Sequence, residues 1–256
     1  MRDLIQRALD EDLGAGDLTS RAVVPEGSLA SGVVIAKADG VVAGVDVAAA
    51  VFAAVDPELL ALRGDARAIL AGERVALNLL GRLSGVATLT ARYVAAVDGT
   101  GTRILDTRKT TPGMRALEKA AVVAGGGTSH RFGLYDAILV KENHVRVAGG
   151  VGEAARRALS AAPEGVVVEI EVESLEELDE ALDAGIGRVL LDNMDPGVLR
   201  AAVERTAGRA ELEASGGITL DTVRAVAETG VDFISVGALT HSAPALDVSL
   251  LFDPEG

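Results

Sequence analysis

The chain has no cysteine and no tryptophan, and aromatic residues make up only 2% of its 256 positions. Without cysteine there can be no disulfide framework, no thiol nucleophile and no Cys-based metal site, and a reducing cytoplasm is the expected compartment. So few aromatics leave no platforms for stacking bases. A net charge of −14 with a pI of about 4.7 also lacks the extended positive stripe that a nucleic-acid backbone requires. No membrane span is expected: the most apolar stretch, AGVDVAAAVFAAV (43–55), is short and interrupted by Asp46. The opening MRDLIQRALDEDLGAGD mixes both charge signs and has no apolar core, unlike a signal peptide. Lysine is scarce as well, with four against twenty arginines.

Against this acidic background, residues 103–146 (RILDTRKTTPGMRALEKAAVVAGGGTSHRFGLYDAILVKENHVR) turn basic. Eight Arg or Lys face four acids there, and two of the three histidines, His130 and His144, fall inside the window. A window near +4 leaves the other residues near −18, so the pattern is a local cationic patch on an acidic protein. Such a patch suits a small anionic substrate. Two of the four lysines, Lys109 and Lys141, stand there at the ends of apolar runs. In a chain so biased toward arginine, these positions suggest a need for a point charge rather than a planar fork.

A chain of this length builds one α/β barrel or two modest domains. Apolar, β-branched runs recur at 103–107, 137–141, 166–171, 188–192, 211–215 and 232–236, most of them separated by helical patterns. Ser174 with Glu177 forms a capping box, Asp195-Pro196 supplies an N-cap and a first-turn proline, and Gly185, Gly208 and Gly230 stand where helices would end. Alternating strand and helix implies a parallel sheet. Because run after run ends in a chemically capable side chain, a barrel is preferred to an open sheet. The first hundred residues read as a separate small α+β domain (1–100), with strand character at 31–47, a short helix in DVAAAVFAAVD, a strand at ARAILAG (66–72) and a long helix over 72–97. Residues 101–239 would form the barrel, and 240–256 are candidates to return to the first domain.

Four constellations carry the chemistry. In LDTRKTTPG, Arg108 and Lys109 are either a solvated basic turn or anion ligands. In GGGTSHRFGLYDAILVKENH, His130 and Arg131 together with Lys141 suit an anion pocket better than an isolated loop histidine would, and a dicarboxylate would relieve the repulsion among so many cations. Glu169 and Glu171 share one strand face, and Asp192 ends another strand. Oxygen ligands of this kind suit Mg²⁺ or Mn²⁺ held jointly with substrate phosphates. The alternative is a buried acid bonded to a neighbouring strand-end cation. Ser215-Gly216-Gly217 and Val236-Gly237, after the last two strands, match the phosphate site common to barrels.

ERVALNLLGRLSG, LDTRKTTPG, GGGTSHRFGLYDAILVKENH, EIEVES, LLDNM, EASGGI and VGALTHS, in this order, closely resemble the quinolinate phosphoribosyltransferase (nicotinate-nucleotide pyrophosphorylase) family of NAD biosynthesis. EDLGAGDLTS is similar to that family's N-terminus, although Ala15 stands where the family often carries a basic residue. The resemblance implies a type II phosphoribosyltransferase fold: an N-terminal α/β sandwich domain joined to an incomplete α/β barrel. It also implies a homodimer whose sites are completed by the partner chain, and leaves assembly beyond the dimer open. Carried over by position, Arg108, His130, Arg131 and Lys141 would hold the two carboxylates of quinolinate, and Lys109 would reach between quinolinate and phosphoribosyl pyrophosphate. Arg74 would enter from the other subunit. Glu171 and Asp192 would contact the ribose hydroxyls and the Mg²⁺–pyrophosphate, and Ser215, Gly216 and Gly237 would take the 5′-phosphate. The resemblance selects Glu171 over Glu169, which spacing alone does not.

The reaction implied is attack of the quinolinate nitrogen on the ribose, departure of pyrophosphate, and decarboxylation to nicotinate mononucleotide, with Lys109, Lys141, Glu171 and Asp192 nearest the chemistry. Its rivals are a same-fold paralogue (molybdenum-transport-associated, or a nicotinate-using phosphoribosyltransferase), a Schiff-base barrel aldolase with Lys141 as nucleophile, and a non-catalytic phosphate-binding barrel, against which the intact Glu171 and Asp192 argue.

Overall fold

The computed structural model describes residues 1–55 and 62–253. They gather into two compact units: one of Met1–Leu89, Pro112–Gly125 and the segment from Ala243 onward, the other of Thr90–Thr111 and Gly126–Ser242. Where the sequence reading draws a single boundary near residue 100, this division counts the helix Arg115–Ala124 with the first unit. The reason is a buried charge pair within that unit: fully buried Glu118 accepts from Nε and a terminal nitrogen of Arg82, at 3.1 and 2.8 Å.

In the first unit, β1 (Leu29–Ala36) pairs antiparallel with two strands. These are β2 (Arg63–Asp65) and, from the far end of the chain, β9 (Val248–Phe252). The expected strand at 66–72 is instead the start of one helix, Ala66–Ala96. Its buried positions Ala66, Ile69, Ala76, Leu80 and Leu83 follow helical spacing, and Asp65 accepts from the backbone of Ala68 at 2.9 Å, fixing the helix start upstream of Gly72. Ile69 and Leu80 pack with Ile5, Leu9, Val51 and Phe52 into one apolar cluster, each large side chain contributing about 1.5–3 kcal/mol by leaving water.

The second unit holds six parallel strands: β3 (Arg103–Leu105), β4 (Ile138–Val140), β5 (Val168–Val172), β6 (Arg188–Asp192), β7 (Glu211–Ser215) and β8 (Phe233–Ser235). Their order is β3-β8-β7-β6-β5-β4. The chain thus steps round a ring, returns to β3 through β8, and leaves it open between β3 and β4: an incomplete barrel. The helix signals in the sequence are used as expected. Ser174 accepts from Glu177 N at 3.2 Å, Asp195 caps Gly197 and Val198, and Gly185, Gly208 and Gly230 all adopt positive φ. Ile170, Leu191, Leu212 and Ile234 are buried on the helix-covered face. The alternate positions face the barrel interior and carry much of the charge. No helix among the described residues is long and apolar enough to cross a membrane.

Candidate active site

The C-terminal ends of the six strands surround a cavity of about 800 Å³. All of the sequence-selected barrel residues line it: Arg108, Lys109, His130, Arg131, Lys141, Glu171, Asp192, Ser215, Gly216 and Gly237. Strand phase explains why. Lys141 directly follows β4, Asp192 and Ser215 end β6 and β7 and lie opposite each other in register, and Glu171 is the next inward position after Glu169 on β5. Arg74 lies in the other unit, on the helix Ala66–Ala96, with an exposed side chain 3.9 Å from Glu73.

One wall is cationic. The backbone N–H of Lys109 donates to Thr107 Oγ1 at 3.0 Å and its carbonyl accepts from Thr240 Oγ1 at 2.8 Å, tying the β3 loop to the turn after β8. Arg131 donates to the carbonyl of Ala137 at 3.3 Å. Burial, and then the charge of Arg108, hold its guanidinium below the usual arginine range. A half-buried guanidinium held beside a second cation marks a place where an anion would be welcome. The Lys141 N–H donates to His144 Nδ1 at 2.9 Å, so His144 anchors the backbone that presents Lys141.

The facing wall is acidic. Glu171 Oε2 lies 3.0 Å from Lys141 Nζ. Asp192 accepts from Asn193 Nδ2 at 2.6 Å, yet burial and then the Glu171 charge raise its carboxyl above the ordinary 3.8. Asn193 escaped the sequence reading: it adopts φ +55° and fills the space beside Gly216. Gly216 itself sits at φ +99°, and a Cβ there would collide with Asn193, so both conformation and space demand glycine. Next to it Gly217, at φ +60°, continues a small-residue turn in the cavity lining.

Below these residues the barrel interior holds a buried ionic cluster. Glu169 is the bonded buried acid that the sequence left as an alternative: its Oε2 lies 3.0 Å from His130 Nε2, and its Oε1 lies 3.2 Å from Arg188 Nε. Glu213 accepts from Arg188 at 2.7 Å and lies 3.3 Å from His130 Nε2. The ligand atoms of His130, Glu169 and Glu213 fall within 4.8 Å of one another, close enough for a metal ion. The cation placed among them is the Arg188 guanidinium. His130 is also engaged on its other side, where Nδ1 accepts the backbone N–H of Arg131 at 2.7 Å.

Burial draws the His130 pKa down, but the hydrogen bonds to Glu169 and Glu213 outweigh it and push it up to about 9. The backbone N–H aimed at Nδ1 opposes a second ring proton, since an imidazolium cannot accept a hydrogen bond there. That N–H is fixed by the chain, so the ring is the Nε2–H tautomer. Burial, above all, also raises the pKa of the neighbouring Glu169. The sequence signals for Arg188 and Glu213 were present as inward charges at the start and middle of apolar strands, but nothing in the strand pattern paired them.

Comparisons with known proteins agree along the whole chain. Residues 17–84 match the N-terminal domain, and residues 86–251 the C-terminal domain, of quinolinate phosphoribosyl transferase. The probable nicotinate-nucleotide pyrophosphorylase (carboxylating) of Bacillus subtilis is 43% identical over 268 residues, covering 98% of this chain and 92% of that one. Its counterpart in Mycobacterium leprae is 44% identical over 273 residues, covering 97% and 96%. Among solved structures, NadC from Streptococcus pyogenes superposes with a TM-score of 0.92 at 38% identity, covering 98% of this chain and 96% of that one. The nicotinate-nucleotide pyrophosphorylase from Francisella tularensis also gives 0.92 at 38% identity, covering 98% and 95%.

Proposed function

This chain belongs to the quinolinate phosphoribosyltransferase family, and we propose from that premise how its own residues carry the reaction. The enzyme transfers the phosphoribosyl group of phosphoribosyl pyrophosphate to quinolinate with loss of CO₂, giving nicotinate mononucleotide and pyrophosphate. The observation that carries the reading is a single cavity with a cationic wall of Arg108, Lys109, Arg131 and Lys141 facing an acidic wall of Glu171 and Asp192. The cations suit the two carboxylates of quinolinate, and His130, with both ring nitrogens engaged by protein, supports that wall from behind.

Lys109 reaches between the two substrates, and the Ser215–Gly216 turn and Gly237 receive the 5′-phosphate. As the quinolinate nitrogen attacks C1 and the C1–oxygen bond to pyrophosphate breaks, Glu171 and Asp192 stabilise the positive charge that develops on the sugar. Holding two anionic reactants side by side is the main contribution of the cationic wall. With the ring nitrogen alkylated, the bond from C2 to its carboxylate breaks, its electron pair stays on C2, and a proton is taken up there.

Glu171 and Asp192 also fit a divalent cation such as Mg²⁺ or Mn²⁺, because both are oxygen donors lining the same cavity. When bound, that ion neutralises the leaving pyrophosphate. We further propose a homodimer in which exposed Arg74 completes the partner's site, and a cytoplasmic setting, on the cysteine-free composition. Lys141 Nζ is engaged by Glu171 at 3.0 Å, a contact that suits an anion-binding cation better than a Schiff-base nucleophile.

Incubation with phosphoribosyl pyrophosphate and quinolinate labelled at its 2-carboxyl carbon tests the proposal. Labelled CO₂ should appear in step with pyrophosphate; pyrophosphate without CO₂, or neither product, would overturn it.

A further inference from the structure

Charged groups inside a barrel are costly unless each one is paired, so the layer formed by Glu169, Arg188 and Glu213 calls for a role. Arg188 is held on three sides. Its Nε lies 3.2 Å from Glu169, a terminal nitrogen donates to Glu213 at 2.7 Å, and the guanidinium stands 4.1 Å from the centre of the Phe233 ring. Both carboxylates then turn their other contacts to one atom, His130 Nε2, at 3.0 and 3.3 Å. The opposite edge of that imidazole accepts the backbone N–H of Arg131, and the backbone N–H of His130 donates to Asp106 Oδ1 at 2.9 Å. The ring is therefore clamped between the barrel floor and the peptide of the residue whose guanidinium enters the cavity.

We propose that Glu169, Arg188 and Glu213 are positioning residues for the quinolinate site, acting through His130 to fix the Arg131 peptide and so the placement of its guanidinium. The inference rests on the quinolinate reading above, and it depends on charge balance. Nδ1 accepts the Arg131 N–H only while it carries no proton. The groups facing the ring are the acids Glu169, Glu213 and Asp106 and the cations Arg188 and Arg131. Removing Arg188 leaves the carboxylates uncompensated, and they would draw a second proton onto the ring. That would turn Nδ1 from acceptor to donor and expel the Arg131 N–H.

Nitrogen-15 spectra of the histidine rings read this directly, since the chain has only three histidines and His144→Gln and His241→Gln assign the other two. In the wild type at pH 7, His130 should show a protonated Nε2 and an unprotonated Nδ1. In Arg188→Met both nitrogens should be protonated, and the KM for quinolinate should rise at least about tenfold, the factor attached to one charge-assisted hydrogen bond. The KM for phosphoribosyl pyrophosphate should stay unchanged. Adding Glu169→Gln to Arg188→Met restores the balance and should restore both tautomer and KM, a rescue that mere loss of packing would not give. A doubly protonated His130 in the wild type, an unchanged quinolinate KM in Arg188→Met, or no rescue in the double variant would each overturn the proposal. The wild-type spectrum decides even if Arg188→Met fails to fold. Because it needs no substrate, it also separates failure of the clamp from failure of the functional reading, which would show as no quinolinate turnover in the wild type.

Discussion

Glu213 and Glu171 both point into the barrel, yet replacing each by alanine should have opposite consequences. Glu213 has a side chain 1% exposed and contacts Arg188 at 2.7 Å and His130 at 3.3 Å. Removing one partner of a buried charge pair costs about 3–5 kcal/mol, because the charge left behind is neither hydrated nor matched. Glu171 instead meets Lys141, whose side chain is 51% exposed, and such a pair is worth only about 0.2–1 kcal/mol. At roughly 2–4 °C per kcal/mol for a chain of this size, Glu213→Ala should lower the Tm by on the order of 10 °C and Glu171→Ala by a few degrees at most. Turnover should show the reverse sensitivity for Glu171. Losing a preorganised charge beside the reacting sugar costs about 10²–10³ in kcat, with the fold intact. Thermal unfolding followed by fluorescence, paired with pyrophosphate release, measures both. If Glu171→Ala melts as early as Glu213→Ala, the division between a stabilising floor and a working rim is refuted.

Asp192→Asn should lower activity by at least about two orders of magnitude while keeping or raising the Tm at pH 7. The folded pKa of Asp192 is raised, by burial and then by Glu171, so its ionised form opposes folding once the pH exceeds the unfolded value of 3.8, and the difference from Asn should vanish below that pH. Melts across pH 3 to 8 check the sign, and a Tm loss in Asp192→Asn at pH 7 would contradict it. Mixing inactive Arg74→Ala with inactive Lys141→Ala should recover up to about a quarter of wild-type sites, since half the dimers are hybrid and half their sites are whole. No recovery despite proven subunit exchange would remove Arg74 from the partner's site.

Much of this was legible in the chain because strand period and strand-end chemistry are local signals. The run at 188–192 coincides with β6 and that at 211–215 with β7, and Lys141 and Asp192 fall at strand ends where the sequence placed them. The strand expected at 66–72 failed because Gly72 looked like a boundary, whereas a glycine inside a long helix is tolerated where packing is close. A Cβ at Gly72 would lie 3.1 Å from both Phe52 and Val55, a tertiary fact invisible to local reading. In the sequence His130 stands beside cations, and the family resemblance gives it to the substrate carboxylates. Its neighbours in space are Glu169 and Glu213, brought in from strands 39 and 83 residues away. Pairings at that separation have no period to betray them.

The central claim is that the cationic wall is built for two carboxylates, and substrate discrimination tests it most directly. Pyrophosphate release from phosphoribosyl pyrophosphate should be compared with quinolinate and with nicotinate, which lacks the 2-carboxylate. A cationic wall that a monocarboxylate fills only in part should reject it strongly, so quinolinate should be preferred by orders of magnitude in kcat/KM. Comparable values for the two acids would contradict the account.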